Sequence, residues 1–231
     1  CIGEVVLIAK NEIGYKNLLV LTSELSTNSN FEKFIPFENL KTHKDGIILL
    51  TGGIENGFIG KPASLGNTKL VNDRLKILKE LFYDNLYIEL QRHGIKGQVD
   101  AEKILLASSE NFDLPLVATN DCFFENENKF NAHQVLTRID KGLTISSNNK
   151  RLLTKEHFIK DTNKMISLFE DIPEAIENTV NIAKRCSFFV KTHEPILPKF
   201  PGLKNIGEND YLSNVSKTGL MKRLQFSNQK F

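Results

Sequence analysis

Two side chains stand where a β/α protein keeps its reactive groups. His93 follows the apolar run LYIEL (86–90) by three residues, and Asp121 follows the short run LVA (116–118) by three. A neutral imidazole in such a place is a good ligand for zinc and related metals. A carboxylate there can hold a divalent cation or orient an attacking water. Loops at strand ends concentrate such residues because the scaffold fixes their positions. Each also has a plain structural reading. His93, beside Gly94, can be a hydrogen-bonded loop histidine, and Thr119-Asn120-Asp121 is turn chemistry, with Asx side chains closing on their own backbone.

The remaining candidates are weaker. His133 opens the helical text AHQVLTRI (132–139) and reads as a helix N-terminal residue bonding back to its loop. His43 and His157 lie among Lys, Asp and Glu and read as solvated, and His193 has no evident role. The stretch GGIENGFIGK (52–61) is glycine-rich and ends in Lys, so a phosphate loop comes to mind. It lacks the Ser or Thr after the lysine, where Pro62 stands instead, and reads as a tight turn rather than a nucleotide cradle. Cys122 has no basic neighbour in sequence to favour a thiolate, so it is a poor nucleophile.

The elements that must position these residues alternate. Strand-like text at 3–9, 46–50, 86–90 and 116–118 is separated by helical text at 11–25, 69–82 and 100–109. The second of these helices carries Val71, Leu75, Leu78 and Phe82 at helical spacing. Strand, loop, helix, strand is the pattern of βα units on a largely parallel sheet, whose chemistry sits after the strands' C-terminal ends. Thr51-Gly52-Gly53, His93 and Asp121 all fall there.

After residue 140 the organisation changes, and the polar, turn-rich text IDKGLTISSNNKRLLTKEHF (139–158) reads as a surface excursion or linker. A helix follows at 170–186, with Asp171 and Glu174 as a capping-box-like pair, Pro173 in its first turn, and a buried stripe of Ile172, Ile176, Thr179/Val180, Ala183 and Cys186. Two prolines and two glycines in ILPKFPGLKNIG (196–207) read as a linker. A last helical piece covers 209–224, with no room after it for a domain of its own.

Composition narrows the classes. Of the 231 residues, 40% are hydrophobic and 25% charged, at a net charge of +2, which suits a globular protein and leaves any nucleic-acid footprint to be local. No run of 18 apolar residues is present, so no helix spans a membrane. Three widely spaced cysteines form no disulfide framework and fit a reducing compartment, the cytoplasm.

Seven phrases together resemble one family: LIAKNEIGYKNLLVL (7–21), GIILLTGGIENGFIG (46–60), LYIELQRHG (86–94), LPLVATND (114–121), FNAHQVL (130–136), LFEDIPEAIENTVNIAKRC (168–186) and ILPKFP (196–201). They are similar, in this order, to the PHP (polymerase and histidinol phosphatase) domain region of bacterial DNA polymerase III alpha subunits. The resemblance implies an incomplete, distorted TIM-like β/α barrel over residues 1–195. A linker and the first helix of a polymerase palm domain would follow over 196–231. It implies that the family's His-x-His strand lies before Cys1, and that the palm's paired catalytic aspartates, with their two Mg²⁺ ions, lie beyond Phe231. In metal-retaining relatives a His stands at the position of His93, and an Asp-x-His pair begins at the position of Asp121. Here the second member of that pair is Phe123, which has no lone pair to offer, so the resemblance implies a remnant site at His93 and Asp121 that holds Zn²⁺ or Mn²⁺ weakly or not at all. The implied function is DNA-templated DNA synthesis by the whole protein, with DNA and deoxynucleoside triphosphates as substrates. The proofreading exonuclease subunit, the sliding clamp and the clamp loader would be its partners, and this segment would be the scaffold that docks the exonuclease. Two other readings are an active metal-dependent phosphoesterase or 3′–5′ exonuclease, and a stand-alone docking module without catalysis.

Overall fold

The computed structural model describes residues 2–27, 34–144, 153–195, 197–198, 200–201 and 206–228. Cys1, part of the polar excursion (145–152) and much of the expected linker within 196–207 lie outside the described residues. The chain forms two compact units, Cys1–Phe188 and Phe189–Phe231.

In the first unit, chain order runs β1 (Val6–Ala9), α1 (Glu12–Thr27), α2 (Phe37–Thr42), β2 (Ile47–Leu50), α3 (Gly60–Ser64), α4 (Thr68–Phe82), β3 (Leu86–Leu90), α5 (Gln98–Phe112), β4 (Leu116–Ala118), α6 (Phe130–Asp140), α7 (Thr162–Leu168) and α8 (Pro173–Arg185). The strands lie in the order β1-β2-β3-β4. β2, β3 and β4 are parallel, while β1 runs antiparallel to β2, with Val6 opposite Leu50 and Ala9 opposite Ile47. The result is an open arc of mixed β/α barrel, as the alternation of elements predicts, with one strand reversed.

The pleat sends successive side chains to opposite faces, and each face is covered. Ile47, Leu49, Leu86, Ile88, Leu90 and Leu116 pack with Val71, Leu75, Leu78 and Phe82 of α4 and with Ala101 and Leu105 of α5. Ile48, Leu50, Tyr87 and Val117 face the other way and meet Ile182 of α8. Being buried on both sides explains why β2 and β3 read as continuous apolar runs rather than as alternation. The predicted stripe of α4 is the buried one, and Asn67 caps this helix by accepting from the Leu70 amide at 3.1 Å.

The expected stripe of α8 needs correction. Ile172, Ala175 and Ile182 are buried, whereas Val180 is half exposed and Ala183 is exposed. The capping box is absent as well. Ile172 occupies the cap position without a side-chain bond, and Asp171 is drawn instead to Arg92. A close backbone approach sets the entry to β2, since a Cβ on Gly14 of α1 would lie 1.9 Å from the carbonyl oxygen of Gly46.

The second unit contains α9 (Glu208–Asn228), whose described side chains are exposed. At its start the amide of Phe200 donates to the Glu208 carboxylate at 3.3 Å, and the Phe200 and Tyr211 rings lie 5.2 Å apart.

Candidate functional site

The C-terminal ends of β2, β3 and β4 open onto a cleft of about 970 Å³. Because β1 is reversed, its N-terminal side, Glu4 to Val6, joins the same rim. Gly52, Gly53, Glu89, Gln91, Asp121 and His157 line the strand-end side of it. Lys61, Lys96 and Lys141 stand around it with Glu55, so the wall carries both signs of charge.

Under the floor sits a buried carboxylate. Glu89 of β3 is only 4% exposed, and its oxygens accept from the Gly52 amide at 3.0 Å, from Gln91 Nε2 at 2.9 Å and from the Thr119 hydroxyl. Its own amide donates to Thr51 Oγ1 at 3.0 Å. Three donors from three strand ends meet one buried carboxylate and satisfy its oxygens away from water. Sequence reading passed over Glu89 because it lies inside an apolar run. A charged residue at the centre of such a run was the available signal.

Several amides of the glycine-rich loop are spent on protein acceptors: Gly52 on Glu89, Gly57 on the Gly53 carbonyl, Phe58 on the Glu4 carbonyl and Lys61 on the Gly57 carbonyl. Gly52 takes φ +80°, and a Cβ there would meet the Glu4 carbonyl oxygen at 2.4 Å. The glycine thus serves a positive φ and a close approach to Glu4.

His93 and Asp121 part company in the structure. Asp121 lines the cleft, half-buried, whereas His93 lies beneath it at 1% exposure. Asn120 bridges the two loops. Its Nδ2 donates to the Phe158 carbonyl at 2.8 Å, which leaves Oδ1 to accept from His93 Nε2 at 3.1 Å. The hydrogen-bond network therefore assigns the His93 proton to Nε2, and Nδ1 carries a buried lone pair without a partner. Burial holds His93 well below an ordinary histidine, at about 4, with the neighbouring His157 pushing the same way. Gln98, the buried first residue of α5, fixes the loop itself. Its Oε1 accepts from the His93 amide at 2.8 Å, and its Nε2 donates to the Gln91 carbonyl.

His157 is not solvated, contrary to the reading of its polar neighbours. It is 1% exposed and stacks on His93 with ring centroids 4.1 Å apart and planes 12° from parallel. The turn that carries it is held by the Thr154 amide donating to His157 Nδ1 at 3.1 Å and by the Thr154 hydroxyl donating to the His93 carbonyl at 2.6 Å. A bridge between Phe124 and Phe158 ties the same segment to the loop after β4. Burial lowers the pKa of His157, opposed by the Thr154 backbone and by the carboxylates of Asp121 and Glu55. Phe123 also belongs to this contact. Its amide donates to the His157 carbonyl at 2.9 Å, and its ring lies 6.0 Å from His157 and 5.9 Å from His133.

Lys160 closes the cluster. Its ammonium donates to Asn120 Oδ1 at 3.3 Å and to the Glu156 carbonyl, lies 3.6 Å from the Glu156 carboxylate, and is 4.7 Å from the Phe158 ring centre. Arg92, between Gln91 and His93, braces the site from outside. It binds Glu102 and Asp171 with paired N–H donors, bonds the Leu168 carbonyl at 2.7 Å and lies over the Phe169 ring.

The described residues do not fit a multinuclear metal centre. Among them no group of three His, Cys, Asp or Glu side chains could hold a metal ion. The ring nitrogen of His93 that carries the proton is committed to Asn120, and the other faces no second donor.

The sequence comparisons bear on what this arrangement descends from. Residues 2–93 match the PHP domain family. The chain is 38% identical to the DNA polymerase III subunit alpha of Caulobacter vibrioides over 221 residues, which is 95% of this chain and 19% of that protein. It is 37% identical to that of Rickettsia bellii over 224 residues and 35% identical to that of Haemophilus influenzae over 225, in each case 96% of this chain and 19% of the relative. The chain thus spans about a fifth of the length of these curated relatives. No helix among the described residues is long and apolar enough to cross a membrane. With residues 2–93 matching the PHP domain family and 95–96% of its length aligning with a fifth of each relative, the chain is similar to a PHP-bearing segment of DNA polymerase III alpha subunits.

Proposed function

We propose that the whole protein extends primers with deoxynucleoside triphosphates on a DNA template as the polymerising subunit of a cytoplasmic replicase, and that this segment serves it as a scaffold. The observation that carries the proposal is similarity to polymerase alpha subunits over 95% of the chain. Residues 1–195 are the PHP part of this scaffold, and 196–231 lead into the polymerase domain. There, paired aspartates beyond Phe231 would hold Mg²⁺ for nucleotidyl transfer. The partners are the proofreading exonuclease subunit, the sliding clamp and the clamp loader.

The PHP cleft takes no part in hydrolysis on this reading. His93 and Asp121 are remnants of a metal site. Phe123 supplies packing where a ligand would stand, and the His93 ring is spent on Asn120 and His157. The test uses the full-length protein. Template-directed primer extension dependent on Mg²⁺ is expected, together with elemental analysis showing less than 0.1 equivalent (roughly, the level of adventitious metal) of zinc or manganese. Stoichiometric zinc or manganese, with nuclease activity that disappears in His93→Ala, would overturn the scaffold reading in favour of an active phosphoesterase. Absence of primer extension by pure full-length protein would overturn the polymerase reading.

A further inference from the structure

We draw no further inference here: the strongest candidate, the apolar groove that Val5, Leu7, Leu25, Ile35, Phe37 and Leu40 line beside β1, carries nothing because nothing in the structure shows what covers it.

Discussion

Glu89 and the stacked histidines are the residues on which the cleft floor depends, and each gives a measurable expectation. Glu89→Gln would place an amide NH₂ opposite one of three donors, since a single amide oxygen cannot serve both the Gly52 amide and the Gln91–Thr119 pair. A loss of about 1–3 kcal/mol is expected, read from the urea midpoint at unchanged m-value. The histidines set a pH dependence. Folding holds His93 at about 4 against 6.5 for a free histidine, so between these values the unfolded chain binds more protons than the folded one. The stability this neutral ring contributes is complete above about pH 6.5 and is lost as the pH falls toward about 4, by on the order of 3 kcal/mol. Imidazole proton shifts followed by NMR should leave His93 unprotonated at pH 5.5, and midpoints that do not fall on acidification would refute the assignment. His157 escaped sequence reading for a physical reason. Its neighbours Lys155 and Glu156 are polar, and the contacts that hold the ring inward, with His93, Phe123 and the Phe124–Phe158 bridge, come from far away in the chain.

At the level of elements, the sequence announces what local periodicity controls and hides what tertiary contact controls. The stripe of α4 and the doubly buried runs of β2 and β3 are visible because burial on one stripe or two faces leaves a periodic or continuous apolar signature. The direction of β1 is not visible, since a strand's pattern is the same read from either end. Nor was the true start of α8, because Asp171 is claimed by an arginine 79 positions away. That arginine joins the loop after β3 to α5 and to the turn between α7 and α8. Removing it leaves Glu102, whose side chain is 17% exposed, without its partner. Arg92→Ala should cost about 1–3 kcal/mol. Arg92→Lys should rescue little, because an ammonium cannot present paired donors to two carboxylates. Thermal unfolding of both variants checks the pair of expectations, and a lysine variant as stable as the parent would show that charge alone suffices.

For the molecule as a whole, two compact units and one reversed strand decide how it will behave in the hands of an experimenter. Residues 189–195 are exposed and lie outside any helix or strand. Backbone of that kind is the preferred site of nicking. Trypsin should therefore cut after Lys191 before it cuts at the lysines of α4, and mass spectrometry of early digests would show a fragment ending there. The candidate site was legible in part. His93 and Asp121 stand out in the sequence by their place after strands, whereas Glu89, Gln98 and His157 form the connecting network and depend on contacts between distant segments. The antiparallel course of β1 adds a practical matter. Since Glu4, Val5 and Val6 border the cleft while Val6 also pairs with Leu50, a spectroscopic label at any of the three would read the mouth of the cavity and the edge of the sheet at once.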